Sequence, residues 1–100
     1  MEEYKILIAS VAKRDLGDVV EYLNTLSPET ALPQYDNIIE IIASLCQMPE
    51  RCPLLKDPHL REKGYRMLIV NNYLIFYVVK KHTIHIRRIL YGSRRYDFLL

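Results

Sequence analysis

Two runs rich in β-branched and aromatic residues, "YRMLIV" at 65–70 and "YLIFYVV" at 73–79, stand on either side of Asn71-Asn72. Asparagine tolerates positive φ, so a two-residue asparagine link points to a tight hairpin rather than a long crossover. The second run is apolar on both faces and therefore reads as a central strand. Lys80, Lys81 and His82 form the next turn, and residues 83–91 make a third strand. In it Ile84 and Ile86 share one face while Ile89 falls on the other. That slip at Arg87-Arg88 predicts either a β-bulge or a strand end covered on both sides.

The first half of the chain follows other periods. "YKILIAS" at 4–10 reads as a short strand, after which Ser10 suits a helix N-cap. From Val11, the residues Ala12, Leu16, Val19, Leu23 and Leu26 recur at intervals of three and four, the mark of one helix face over 11–26. Ser27-Pro28 fits an N-cap followed by a first helical position, and Ala31, Tyr35, Ile38, Ile42 and Leu45 make a second stripe that ends before Pro49. Pro33 conflicts with a start at Pro28, since an interior proline removes a hydrogen bond and clashes with the turn before it. Either the first turn is separate and the helix begins near Leu32, or the helix is kinked. The short link makes the two helices an antiparallel hairpin. Residues 49–63, with three prolines and mixed charge, read as a surface loop. The order β-α-α-β-β-β is α+β: a helical hairpin on one face of a mostly antiparallel, four-stranded sheet.

A chain of 100 residues, half of them apolar, allows one small domain over 1–100. No apolar run approaches the ~20 residues of a membrane helix, and the N-terminus lacks the basic flank of a signal peptide, so no membrane role and a cytoplasmic location are expected. Cys46 and Cys52, six apart, match neither a CxxC nor a zinc pattern, so no metal or cofactor is expected. Both read as reduced thiols, Cys46 in a helix and Cys52 in a loop. The net charge of +2 hides a division. Residues 1–50 hold three bases and nine acids, a net of −6, and residues 51–100 hold eleven bases and three acids, a net of +8. This suggests a basic face toward an anionic partner, with the acidic half facing water.

The run from Gly64 to Leu100, with "NNYLIFYVV", "IHIRRILYG" and "RRYDFLL" in that order, resembles the C-terminal half of the RelE/ParE family of bacterial toxins. The "MPERCPLL" segment looks like a loop of the same family, and the β-α-α-β-β-β order matches its fold. The resemblance implies the toxin of a type II toxin–antitoxin module, held by a cognate antitoxin. RelE-like members cleave mRNA on the ribosome; ParE-like members block DNA gyrase without nuclease chemistry.

Metal-free RNA cleavage needs groups that move protons and cations that hold the phosphate. By the resemblance, Arg66 aligns with a basic residue on the second strand of the ribonuclease members. Arg94 aligns with an arginine after the last strand, just past Gly92, where the backbone can turn sharply, and Tyr96 lies near a tail tyrosine. These three are the catalytic candidates if the chain is a nuclease. The departures are Leu74, where ribonuclease members commonly place a phosphate-clamping arginine, and Leu68, where a second basic residue is often found. Histidine as a residue type titrates near neutrality, which makes His82 and His85 candidate bases, but both fit structural roles better. Lys80, Lys81, His85, Arg87, Arg88 and Arg95 form a basic set for RNA or for an acidic antitoxin segment. The incomplete nuclease set favours a ParE-like toxin acting on gyrase. The alternatives are a RelE-like mRNA endonuclease working with the ribosome, and an inactive remnant that binds only an antitoxin.

Overall fold

A strand leads directly into a helix at the start of the chain. In the computed structural model, which describes residues 4–92 and Leu100, β1 spans Lys5–Ile8 and α1 spans Ser10–Leu26. Ser10 is not the cap expected of it: Ala9 is the N-cap, and no side chain caps the helix. The Ala9 N–H donates to the carbonyl of Ile86 at 3.0 Å, and its own carbonyl accepts from Lys13 N–H at 3.0 Å, so the sheet holds the residue that starts the helix.

Ala12, Leu16, Val19 and Leu23 form the buried face of α1. Leu26, assigned by spacing to the same stripe, is 64% exposed, because it is the last helical residue before the chain reverses. Ser27 alone links α1 to α2, Pro28–Ser44. Its carbonyl accepts from Thr30 and Ala31 N–H, both at 3.1 Å, and Pro28 takes the first helical position, where its missing N–H costs nothing. Pro33 lies inside one continuous helix, so the separate first turn does not occur. Both Pro33 and Glu29, whose carbonyl loses its i+4 donor, are exposed, and water can serve that carbonyl. Cys46 lies in the turn after α2 rather than in the helix, its thiol 3.3 Å from the carbonyl of Tyr4 that accepts from it, and both cysteines are free thiols.

The segment expected as plain loop contains a short helix, α3, Pro58–Glu62. Asp57 caps it, accepting from His59 N–H at 2.9 Å and Leu60 N–H at 3.1 Å, with Pro58 at the first position. β2 (Tyr65–Val70), β3 (Tyr73–Lys80) and β4 (Thr83–Tyr91) follow. Asn71 turns at φ 54°, and Lys81 and His82 at 48° and 63°. The sheet order is β1-β4-β3-β2, with β1 parallel to β4 and the other pairs antiparallel. β3 sits between two strands, as its two apolar faces require.

The bulge falls where the phase slip indicated. Phe76 pairs with Arg88 and Tyr77 with Ile86, leaving Arg87 as the extra residue of β4. The slip returns Ile89 to the face of Ile84 and Ile86, and all three are buried against α1 and α2 with Ile75, Tyr77 and Leu68. A second apolar cluster covers the opposite face: Leu55 and Leu60, brought by the α3 segment, pack with Tyr65, Phe76, Val78 and Leu90. Among the described residues, no helix is long and apolar enough to cross a membrane.

Candidate functional site

Arg66 stands on β2, opposite Tyr77 of β3, and both side chains are spent on the segment that precedes α3. The Arg66 guanidinium donates to the carbonyl of Cys52 and, at 3.4 Å, to that of Glu50, and lies 3.5 Å from the Glu50 carboxylate. The Tyr77 hydroxyl, fully buried, donates to the carbonyl of Pro49 at 2.8 Å. Burial pushes its pKa up, and its hydrogen bonding with Cys52 adds to the rise. The pair therefore fastens residues 49–52 to the sheet.

The neighbours of Arg66 do not complete a phosphate site. Leu68 shares its face of the sheet and is buried in the main core, while Leu74 points to the other face and packs in the second cluster. Residues 66 and 74, where ribonuclease members would place cations, thus aim away from each other. Arg94 and Tyr96, the other nuclease candidates, and Arg95 of the basic set lie outside the described residues. Gly92 stands in a turn at the end of β4 without a positive φ. Its N–H donates to the Asn72 carbonyl at 2.7 Å, and a Cβ would stand 3.1 Å from that same oxygen. The glycine permits this close approach between the β2–β3 turn and the end of β4.

Arg88 leaves the basic set. Its Nε lies 2.8 Å from Asp15 Oδ2 and its Nη2 3.0 Å from Oδ1, while Ile89 N–H donates to Oδ2 at 2.9 Å. The hydrogen bond to Asp15 raises the Arg88 pKa further, so its charge is permanent. Asp15, expected on the wet side of α1, is buried for a reason the topology supplies. β1 pairs with β4 only as far as Ile86, so beyond that point β4 has, among the described residues, β3 as its one strand neighbour. The Asp15 carboxylate satisfies a backbone donor on the open side and neutralises the arginine beside it.

What remains is a basic surface at the other end of β4. The register sets Lys5, Thr83 and Lys80 in one cross-strand row and Leu7, His85 and Val78 in the next, on the face away from the helical hairpin. Lys81 and His82 form the turn beside them, and the His82 ring stands 5.4 Å from that of Tyr4. Lys5, Lys80, Lys81 and His82 are exposed; His85 and Arg87 are half-buried. Among the described residues, the buried Nε of Arg87, at the bulge, has no hydrogen-bond partner. No local pattern marks Lys5, which arrives only through the parallel pairing of β1 with β4.

Comparison with known proteins supplies the family context. A family model described as the ParE toxin of the type II toxin–antitoxin system parDE matches residues 6–96. A solved structure titled as a chromosomal ParDE toxin–antitoxin system from P. aeruginosa superposes with a TM-score of 0.77 at 23% identity, covering 91% of this chain and 98% of that one. No curated protein matches the chain.

Proposed function

The chain belongs to the ParE toxin family of type II toxin–antitoxin systems, and from that premise we propose that it arrests growth by binding a protein target, DNA gyrase, in the cytoplasm. In this reading it acts as a single domain and is neutralised by a cognate antitoxin. The supporting observation is the state of Arg66. Its guanidinium is committed to the carbonyls of Glu50 and Cys52, and the positions that should help it hold a phosphate are Leu68 and Leu74, on opposite faces of the sheet. A nuclease needs cations converging on one phosphate, and the described residues bring none together there.

The basic surface serves the antitoxin in this proposal. Lys5, Lys80 and His85 lie on the face away from the helices, with Lys81 in the adjoining turn, and an acidic antitoxin segment laid across them gains charge complementarity. Such a segment also offers an acceptor to the Arg87 Nε, which lacks one among the described residues.

Induction in a bacterial host, with and without the antitoxin reading frame, tests the proposal. Growth should stop without the antitoxin and continue with it, and mapped mRNA ends should match those of uninduced cells. New site-specific mRNA cuts would overturn the gyrase reading in favour of an endonuclease, and normal growth without antitoxin would leave only an antitoxin-binding remnant.

A further inference from the structure

Between α1 and the far end of the sheet lies a cavity of about 360 Å³, lined by Tyr22, Tyr73 and Tyr91 together with Asp15 and Asp18. Its size is near the lower end for ligand pockets, room for one side chain rather than a folded segment. Tyr73 is buried and meets Tyr91 edge-on, ring centroids 5.7 Å apart. Tyr22 and Tyr91 are 53% and 44% exposed, which places them where an incoming group would touch them. Asp15 is already engaged by Arg88 and the Ile89 N–H. Asp18 is exposed and, among the described residues, carries no ion pair.

This chemistry selects a cation. A phosphate or carboxylate entering the cavity would meet Asp18 and the negative faces of aromatic rings, both repulsive. A guanidinium is attracted by each: it stacks on tyrosine as a cation–π partner, and its planar fork matches the Asp18 carboxylate. A lysine ammonium lacks the plane and is more strongly hydrated. The site lies on the helix side of the sheet, at the opposite end of β4 from Lys80 and Lys81, so a partner that uses both passes around the sheet edge.

We infer that this cavity receives an arginine side chain presented by the antitoxin. The inference rests on the toxin–antitoxin reading for the identity of the bearer, and on the cavity's own chemistry for the arginine. The same antitoxin chain then carries acidic residues toward Lys80 and Lys81 and a basic residue toward Tyr22 and Asp18, and must wrap from one face of the sheet to the other.

The test is an NMR titration of isotope-labelled protein with N-acetyl-arginine amide. Saturable shifts should cluster at Tyr22, Ile89 and Tyr91. The citrulline analogue, similar in shape and uncharged, should give none, and the lysine analogue should bind more weakly. Tyr22→Ala and Asp18→Asn, both at exposed positions, should each weaken the arginine response about three- to fivefold. Absence of a saturable shift, an equal response to citrulline, or an undiminished response in both variants overturns the inference. The titration uses neither an antitoxin nor a growth assay, so it can fail while the toxin reading stands, and that reading can fail in the induction experiment while the titration succeeds.

Discussion

Arg88 Nε lies 2.8 Å from Asp15 Oδ2, an ion pair closed across 73 residues of sequence. It joins α1 to β4 just past the point where β1 stops pairing with β4. The two side chains are only 10% and 16% exposed, so removing either takes a close, largely buried charge partner from the other.

Asp15→Ala should therefore cost about 2–4 kcal/mol, the range for removing a largely buried ion-pair contact together with the acceptor of a backbone donor. Urea unfolding reads this directly. Arg88→Leu should also destabilise, and adding it to Asp15→Ala should cost less than the sum of the two single changes, because both remove the same contact. A double-mutant cycle with no coupling between the two positions would contradict the assignment.

Arg66 should behave as a structural residue. Arg66→Ala should lower stability by about 1–2 kcal/mol and speed amide exchange at residues 52–55, where the guanidinium and the Leu54 bridge to Arg66 hold the chain. Arg66→Lys should restore part of the loss, since the single nitrogen Nη1 serves both the Cys52 and Glu50 carbonyls and an ammonium can take its place, while the Nη2 contact with the Glu50 carboxylate needs the planar fork.

The strands, the central place of β3 and the bulge were legible because each follows from side-chain alternation, a local property. The phase slip between Ile86 and Ile89 points to a bulge or a doubly covered strand end at Arg87-Arg88, and the register shows the bulge, with Arg87 the extra residue. The α3 helix was masked by its prolines, although Asp57-Pro58 is itself a start signal, a capping carboxylate before a first-position proline. Asp15 and Lys5 were illegible for a different reason. What each does depends on the parallel pairing of β1 with β4 and on where that pairing stops, a long-range fact that no local pattern encodes. The division of charge between the halves was real in sequence, but Asp15–Arg88 and Glu50–Arg66 spend part of it inside the fold.

Tyr77 supplies a pH signature. Its folded pKa is raised above the ordinary 10.0 by burial and hydrogen bonding, so above that pH the unfolded chain loses this proton while the folded chain keeps it. The associated stability is fully present below pH 10.0 and is lost as the pH rises through the folded value. Tyr73, also raised, chiefly by burial, adds in the same direction. Chemical denaturation from neutrality to strongly alkaline pH should show stability falling above that point. Tyr77→Phe should flatten the fall while lowering neutral-pH stability by about 1 kcal/mol for the lost hydrogen bond to Pro49.

Lys80→Glu combined with Lys81→Glu should leave stability within about 0.5 kcal/mol, since both residues are exposed. The same double variant should slow antitoxin association about tenfold or more at low salt and remove much of its salt dependence. Stopped-flow mixing with the purified antitoxin at two ionic strengths measures both. An unchanged association rate would move the antitoxin's acidic segment elsewhere.

The most direct measurement of the central claim is a gyrase supercoiling assay. Relaxed plasmid, purified DNA gyrase and ATP are incubated with increasing amounts of the purified protein, alone and preincubated with its antitoxin. The expected result is loss of supercoiling in proportion to added protein, reversed by the antitoxin, with mRNA left intact in a parallel translation reaction. Full supercoiling at saturating protein, together with cut mRNA in the translation reaction, would contradict it.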